Sequence, residues 1–212
     1  MSHSFKKISN DPTARLRTFH PWCYWNDVFT DEELEKICQL MTSAPLEPGL
    51  TTKGSINEVN DITSYRTSYV NFHGIDDSNS WIFERINNII EHVNNNFYNF
   101  DLNGYNCFQY GEYRAEDRGH YNWHLDSHIG QLSDNQFEQR KLSLTLLLND
   151  PEKDFTGGDF QFNFMEENSA VTVGLKKGTI IIFPSFLIHR VTEVTSGVRK
   201  SLVAWIVGPN FR

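Results

Sequence analysis

The sequence lacks any apolar run that could cross a bilayer. Its longest aliphatic stretches, Leu146–Leu148 and Ile180–Phe183, fall far short of the roughly 20 residues a membrane helix needs. No apolar segment follows the first residues, so neither a secretory leader nor membrane attachment is expected, and a cytoplasmic location is (a host's cytoplasm if the source is viral). Cysteine is scarce: Cys23, Cys38 and Cys107 are scattered and odd in number, which excludes a disulfide framework. Positive charge is in deficit, with 19 Lys and Arg against 27 Asp and Glu for a net −8. A dedicated nucleic-acid binder needs the reverse balance to neutralise phosphates, so no nucleic-acid partner is expected. Internal repeats and low-complexity tracts are absent too. What the chain has in quantity is aromatic side chain: 16 Phe, 8 Tyr and 5 Trp in 212 residues, enough to fill a core and exclude disorder over most of its length.

The polar, locally basic residues 1–20 (Lys6, Lys7, Arg15, Arg17) read as a flexible arm, and residues 21–212 as one domain. Thr30 with Glu33 forms a capping box ahead of Leu34, Ile37, Leu40 and Met41, which predicts a helix near 31–43, ended by Pro45–Gly49. A second helix is predicted from Ser78–Ser80, with Phe83, Ile86, Ile90, Val93 and Phe97 on one face and Asn on the other. Between them, residues 50–75 suggest short strands or a flap. From residue 105 the period changes. Strands are predicted at 105–113, 120–128, 141–148, 159–164, 170–173, 178–183, 186–191 and 198–207, punctuated by Asn149-Asp150-Pro151, Gly157-Gly158, Gly178 and Ser196-Gly197. Helices over 21–104 followed by eight short strands over 105–212 imply a mainly β fold. An antiparallel sandwich or jelly roll, with the helices packed on one sheet, fits that order.

The stretch Gly119-His120-Tyr121-Asn122-Trp123-His124-Leu125-Asp126-Ser127-His128 carries the chemistry. On a helix, His120, His124 and His128 would stack as a zinc site. The preceding glycine and the Tyr, Asn and Trp disfavour a helix, and the glutamate of His-Glu-x-x-His is missing. On a strand, His124 and Asp126 share a face, roughly 6.6 Å apart by two rises of about 3.3 Å, and can grip one metal from one side. His120 and His128 would lie about 13 Å away at four rises and read as rim residues. His189, after the Pro184 corner, is the candidate third ligand. Two histidines and one carboxylate leave half an octahedral shell open, as in non-haem Fe(II) oxygenases. Taken alone, His189 on an apolar strand reads first as a satisfied core residue. Ten residues on, Arg199 and Ser201 share a face among apolar neighbours. A guanidinium pointing inward needs an anion, which a dicarboxylate cosubstrate would supply.

His124-x-Asp126, His189 and Arg199-x-Ser201, in that order and spacing, resemble the 2-oxoglutarate- and Fe(II)-dependent oxygenases. Within them the prolyl 4-hydroxylase-like branch, especially the bacterial PKHD-type hydroxylases, is the most similar. Supporting text runs through Leu142–Asp150, Gly157-Gly158-Asp159-Phe160, Lys177-Gly178-Thr179 to Pro184, and His189 to Thr195. The resemblance covers roughly 105–207 and implies a double-stranded β-helix (jelly-roll, cupin-like) core. It implies His124, Asp126 and His189 as Fe(II) ligands, and Arg199 with Tyr110 at the far carboxylate of 2-oxoglutarate. Tyr113 rivals Tyr110, because Gly111–Gly119 is longer and more charged than the usual connection. Ser143 and Thr145 face inward beside the cosubstrate or as plain core polars. Tyr121, Trp123 and Trp205 read as walls that shape the site, and Gly157-Gly158 as a tight turn needing positive φ.

The implied reaction is dioxygen-dependent decarboxylation of 2-oxoglutarate to succinate and carbon dioxide, coupled to hydroxylation of an unactivated C–H bond, with ascorbate as reductant. Asp126 argues against a halogenase, which would leave that position to halide. The resemblance suggests a peptidyl proline or another residue of a peptide or protein as substrate, held by flaps from 50–75 and 129–140; a small metabolite is the alternative. The rival from another class is a non-catalytic metal- or ligand-binding cupin-like module, which has no reason to carry Arg199.

Overall fold

The computed structural model describes residues 20–49, 65–127, 138–164 and 169–210. All of the expected arm at 1–20 except His20, most of the 50–75 and 129–140 flaps, and His128 lie outside them.

Helix α1 spans Asp31–Met41. Its capping box is formed: Glu33 N–H donates to Thr30 Oγ1 at 3.3 Å, and Thr30 N–H to Glu33 Oε2 at 2.9 Å. Three acids in the first turn suit the positive end of the helix dipole. Leu34, Ile37 and Met41 are buried. Helix α2 spans Ser80–Val93 and buries Ile82, Phe83, Ile86, Ile90 and Val93 at three- and four-residue spacing. Phe97, expected on that face, is 40% exposed. The chain enters a π-turn at Asn94–Tyr98, whose extra residue per turn rotates the stripe away from the core.

The strands, in chain order, are β1 (Cys23–Trp25), β2 (Glu47–Pro48), β3 (Arg66–Thr67), β4 (Tyr69–His73), β5 (Gly104–Arg114), β6 (His120–His124), β7 (Gln139–Leu147), β8 (Phe155–Gly157), β9 (Phe160–Asn163), β10 (Ala170–Val173), β11 (Ile180–Pro184), β12 (Ile188–Val191) and β13 (Val194–Gly208). All eight strands expected after residue 105 are present. The sequence pattern missed β1, β2 and β8, which have only two or three residues and little room to show a period, whereas β3 and β4 are short strands of the kind expected within 50–75. Ser196-Gly197 does not end a strand, because β13 runs through it with a register shift against β8 and Gly197 at φ 68°.

The larger sheet has the order β1-β11-β7-β13-β5-β4-β2, with β8 also on β13; the smaller is β10-β9-β12-β6-β3. Together they form a jelly roll. The larger sheet is buried on both faces. Leu142, Leu144 and Leu146, Ile180 and Ile182, and Leu202, Ala204 and Ile206 point to α1 and α2 and build one core with them. Leu147, Ile181 and Phe183 point the other way and meet Phe160, Phe162 and Val191 of the smaller sheet. Helices on one face of the larger sheet, as expected, leave its other face to line the interior. The described stretch of the expected flap, β3 and β4, supplies edge strands to the smaller and larger sheets respectively. All three cysteines are free, and no described helix is long and apolar enough to cross a membrane.

Candidate metal centre and cosubstrate pocket

His124 closes β6 and His189 lies directly opposite it on β12. Asp126 is not on a strand with His124, as the spacing suggested, because β6 stops at His124. The turn after it is clamped instead: Asp126 and Ser127 N–H both donate to Ser185 O, at 2.9 and 3.0 Å. This carries the carboxylate to the imidazoles, with His124 Nε2 at 3.8 Å from Asp126 Oδ1 and His189 Nε2 at 3.6 Å from Asp126 Oδ2. One ligand atom from each residue falls within 4.8 Å of the others. These gaps are too wide for hydrogen bonds and narrow enough for one cation to bridge. His120 stays out of the cluster, its Nδ1 donating to Arg118 O at 2.8 Å.

Both ligand imidazoles are oriented in the same way. His124 Nδ1–H donates to Asn122 O at 2.8 Å and His189 Nδ1–H to Leu187 O at 2.9 Å. Each leaves its Nε2 lone pair toward the centre. Burial, reinforced by neighbouring His189, pushes the His124 imidazole down to about 3, so it is neutral and able to ligate. Burial works against charge on Asp126. The two imidazoles and the Ser143 hydroxyl outweigh that and hold its carboxyl below the ordinary value. Ser143 Oγ donates to Asp126 Oδ2 at 2.6 Å and lies 2.9 Å from Ser185 Oγ. Ser143 therefore serves the carboxylate, while Thr145 lines the cavity.

The triad opens into a cavity of about 640 Å³ between the two sheets. Arg199 projects into it from β13, 1% exposed. Its Nη1 donates to Ser201 Oγ at 3.1 Å, but its Nη2 has no hydrogen-bond partner among the described residues. Burial draws its pKa down, yet a guanidinium keeps its proton in a protein. Gly158, at φ 64°, makes room for it: a Cβ there would lie 2.9 Å from Arg199 Cδ. Gly157, at φ 71°, completes the expected turn.

Tyr110 does not reach this pocket. It pairs with Leu202 and faces the helices, donating its hydroxyl to Glu112 Oε1 at 2.9 Å. Tyr113, the rival, pairs with Arg199 on the interior face and lies beneath its guanidinium, 5.6 Å from Cζ to the ring centre. Strand parity decides between them: the two tyrosines are three positions apart on β5, an odd offset, so they point to opposite faces. Tyr121, Trp123 and Trp205 all line the cavity, and Tyr121 stacks on the His124 imidazole at 3.5 Å. Arg66, also in the lining, carried no sequence signal, being an isolated arginine on a two-residue strand.

The donor set and the unpartnered buried guanidinium are what a ferrous ion and a dicarboxylate would require, so the residues present fit both groups.

Residues 108–207 match the model of the 2OG-Fe(II) oxygenase superfamily. A PKHD-type hydroxylase of Teredinibacter turnerae is 33% identical over 102 residues, 48% of this chain and 41% of its own. Another, from Rippkaea orientalis, is 27% identical over 183 residues, 85% of this chain and 76% of its own. The chain spans about two fifths of the length of the first of these relatives. Among solved structures, a Pseudomonas putida prolyl-4-hydroxylase superposes with a TM-score of 0.65 at 17% identity, covering 90% of this chain and 94% of its own. A Trichoplax adhaerens prolyl hydroxylase, solved with a hypoxia inducible factor peptide fragment, gives 0.65 at 18%, covering 88% and 83%. These structural likenesses show a shared fold.

Proposed function

We propose that the chain is a 2-oxoglutarate-dependent hydroxylase, a reading supported by the match of residues 108–207 to the model of the 2OG-Fe(II) oxygenase superfamily. The observation that carries the reading is Arg199, a buried cation in the cavity that also holds the triad, whose Nη2 has no hydrogen-bond partner among the described residues. An unpaired charge there is costly, and an arriving carboxylate can take both the free N–H and the charge. A binding module with no dicarboxylate to hold has no use for that arrangement.

His124, Asp126 and His189 would hold the iron, and Arg199, with Tyr113 beneath it and Ser201 beside it, the far carboxylate of 2-oxoglutarate. Bound there, the two supply dioxygen-dependent decarboxylation to succinate and carbon dioxide, coupled to hydroxylation of an unactivated C–H bond, with ascorbate keeping the metal ferrous. The protein's own contribution is placement. Carbonyls of Asn122 and Leu187 hold the imidazoles, Ser143 holds Asp126, and Tyr121, Phe160 and Phe183 keep water from the centre. The substrate we propose is a prolyl or other residue of a peptide. A structural neighbour solved with a peptide fragment supports it.

The test is direct. Purified protein with Fe(II), ascorbate and 2-oxoglutarate should release succinate even without substrate. A proline-containing peptide library should then show a mass gain of one oxygen. Absence of succinate, together with no binding of 2-oxoglutarate to the Mn(II)-loaded protein, would overturn the hydroxylase reading.

A further inference from the structure

The cavity carries more positive charge than a metal and a keto acid account for. Among its described lining residues, Arg66, Arg140 and Arg199 are cations and Asp126 is the carboxylate. A divalent metal and a doubly charged keto acid cancel each other, so two positive charges remain unanswered with both in place. In a chain of net charge −8 this is a local inversion, of the kind that draws an anionic ligand into a cleft.

Arg140 stacks 3.7 Å above the Trp205 ring. Arg66 also lies over a ring, yet keeps a hydrogen-bond donor unmade among the described residues. It is 7% exposed, and its Nε donates to Ser68 Oγ at 2.7 Å. Its guanidinium lies 4.5 Å over the ring of Tyr121, the same ring that stacks on His124. Arg66 Nη2 is buried and has no hydrogen-bond partner among the described residues; the same is true of Trp205 Nε1 on the cavity wall. Trp205 is the cross-strand neighbour of Ser143, whose hydroxyl holds Asp126. One ring therefore separates Arg66 from His124, and the strand neighbour of Trp205 is one hydrogen bond from Asp126. A buried donor left unmade costs about 1–3 kcal/mol, and more when charged. Arg199 is explained by the cosubstrate. The other two are not.

The geometry points to a substrate that carries a carboxylate, received by Arg66 Nη2, with Trp205 Nε1 donating to a further oxygen of the same molecule. The carboxylate is favoured because Arg66 has one terminal nitrogen free beside an Nε already committed to Ser68, which suits a monoanion. The inference deepens the hydroxylase reading and rests on it for the C–H bond that the seated substrate presents to the triad.

The test measures binding, with protein loaded with Mn(II) and 2-oxoglutarate. One set of probes is N-acetyl amino acids, each against its C-terminal amide. A second is N-acetyl aspartate and glutamate amides against their asparagine and glutamine counterparts. The first set reports an α-carboxylate, the second a side-chain carboxylate within a peptide. In one set, at least one acid should bind about tenfold or more tighter than its neutral partner. That ratio should approach one in Arg66→Met and survive in part in Arg66→Lys. Equal binding within every pair, no binding by any probe, or a preference that persists in Arg66→Met would overturn the assignment. Should Arg66→Met not fold, the wild-type ratios and Arg66→Lys still decide it. Succinate release reports on the hydroxylase reading and the acid-to-amide ratio on the carboxylate seat, so the two can fail separately.

Discussion

His189 lies directly across the β6–β12 ladder from His124, with the two ring centroids 4.1 Å apart. Each imidazole is held through Nδ1 by the carbonyl two residues before it, at 2.8 and 2.9 Å. The same local bond on two antiparallel neighbours turns both Nε2 atoms toward Asp126. The pair is thus set by backbone geometry before any metal arrives, which lowers the reorganisation that binding would require.

Asp126 depends on a side chain for its own orientation. Ser143→Ala removes the 2.6 Å bond to Oδ2 without altering a ligand. Metal affinity, measured by Mn(II) titration, should fall roughly 10- to 100-fold, the usual effect of losing such a support. Unchanged affinity would mean that the Ser185 clamp alone positions the carboxylate.

Arg199 trades stability for binding. Arg199→Met keeps much of the volume and removes a buried charge whose Nη2 lacks a partner among the described residues. In the absence of 2-oxoglutarate the variant should be no less stable than the parent, and up to about 1–4 kcal/mol more so. The rise in Tm that 2-oxoglutarate gives the parent should disappear, while Mn(II) binding is kept. Thermal melts with and without the keto acid measure both. A large loss of stability would give Arg199 a structural role.

The two tyrosines of β5 should separate cleanly. Tyr113→Phe, on the Arg199 face, is expected to weaken 2-oxoglutarate binding several-fold at nearly constant stability. Tyr110→Phe, under the helices, should leave that affinity alone and cost about 1 kcal/mol through the lost bond to Glu112. Isothermal titration and urea unfolding of both variants test the pair, and the reverse pattern would reinstate Tyr110.

Helix α1 should confer acid sensitivity. The Arg85 bond at 2.6 Å, aided by the Thr30 N–H, holds Glu33 below the ordinary glutamate value. A carboxylate with a depressed folded pKa stabilises above its unfolded value and loses that contribution as pH falls through the folded one. Glu33→Gln should therefore cost about 0.5–1 kcal/mol at neutral pH, a modest figure because the pair is partly exposed. The difference from the parent should shrink toward zero as pH falls from the ordinary glutamate value through the lower folded one, as read by denaturant unfolding across the pH range.

The sequence by itself determined the features encoded over a few neighbouring residues. Thr30 and Glu33 define the start of α1, the glycines 157 and 158 define a positive-φ turn, and the alternating strands after residue 105 define a β core beside helices. It also determined the chemical set of two histidines, a carboxylate and a distant arginine, because those residue types in that order suit one task. Tertiary structure decided what depends on faces and strand ends. Every residue of β5 from Phe108 to Tyr113 is buried, since both sides of the larger sheet are covered. Burial there shows no alternation to say which tyrosine looks inward; the register against Arg199 does. Asp126 arrives from beyond the end of β6 because a carbonyl 59 positions later, Ser185 O, holds its backbone. Arg66 enters the cavity from a two-residue edge strand paired with β6. No periodicity survives over so short a strand, so only its pairing partner places that charge beside the triad.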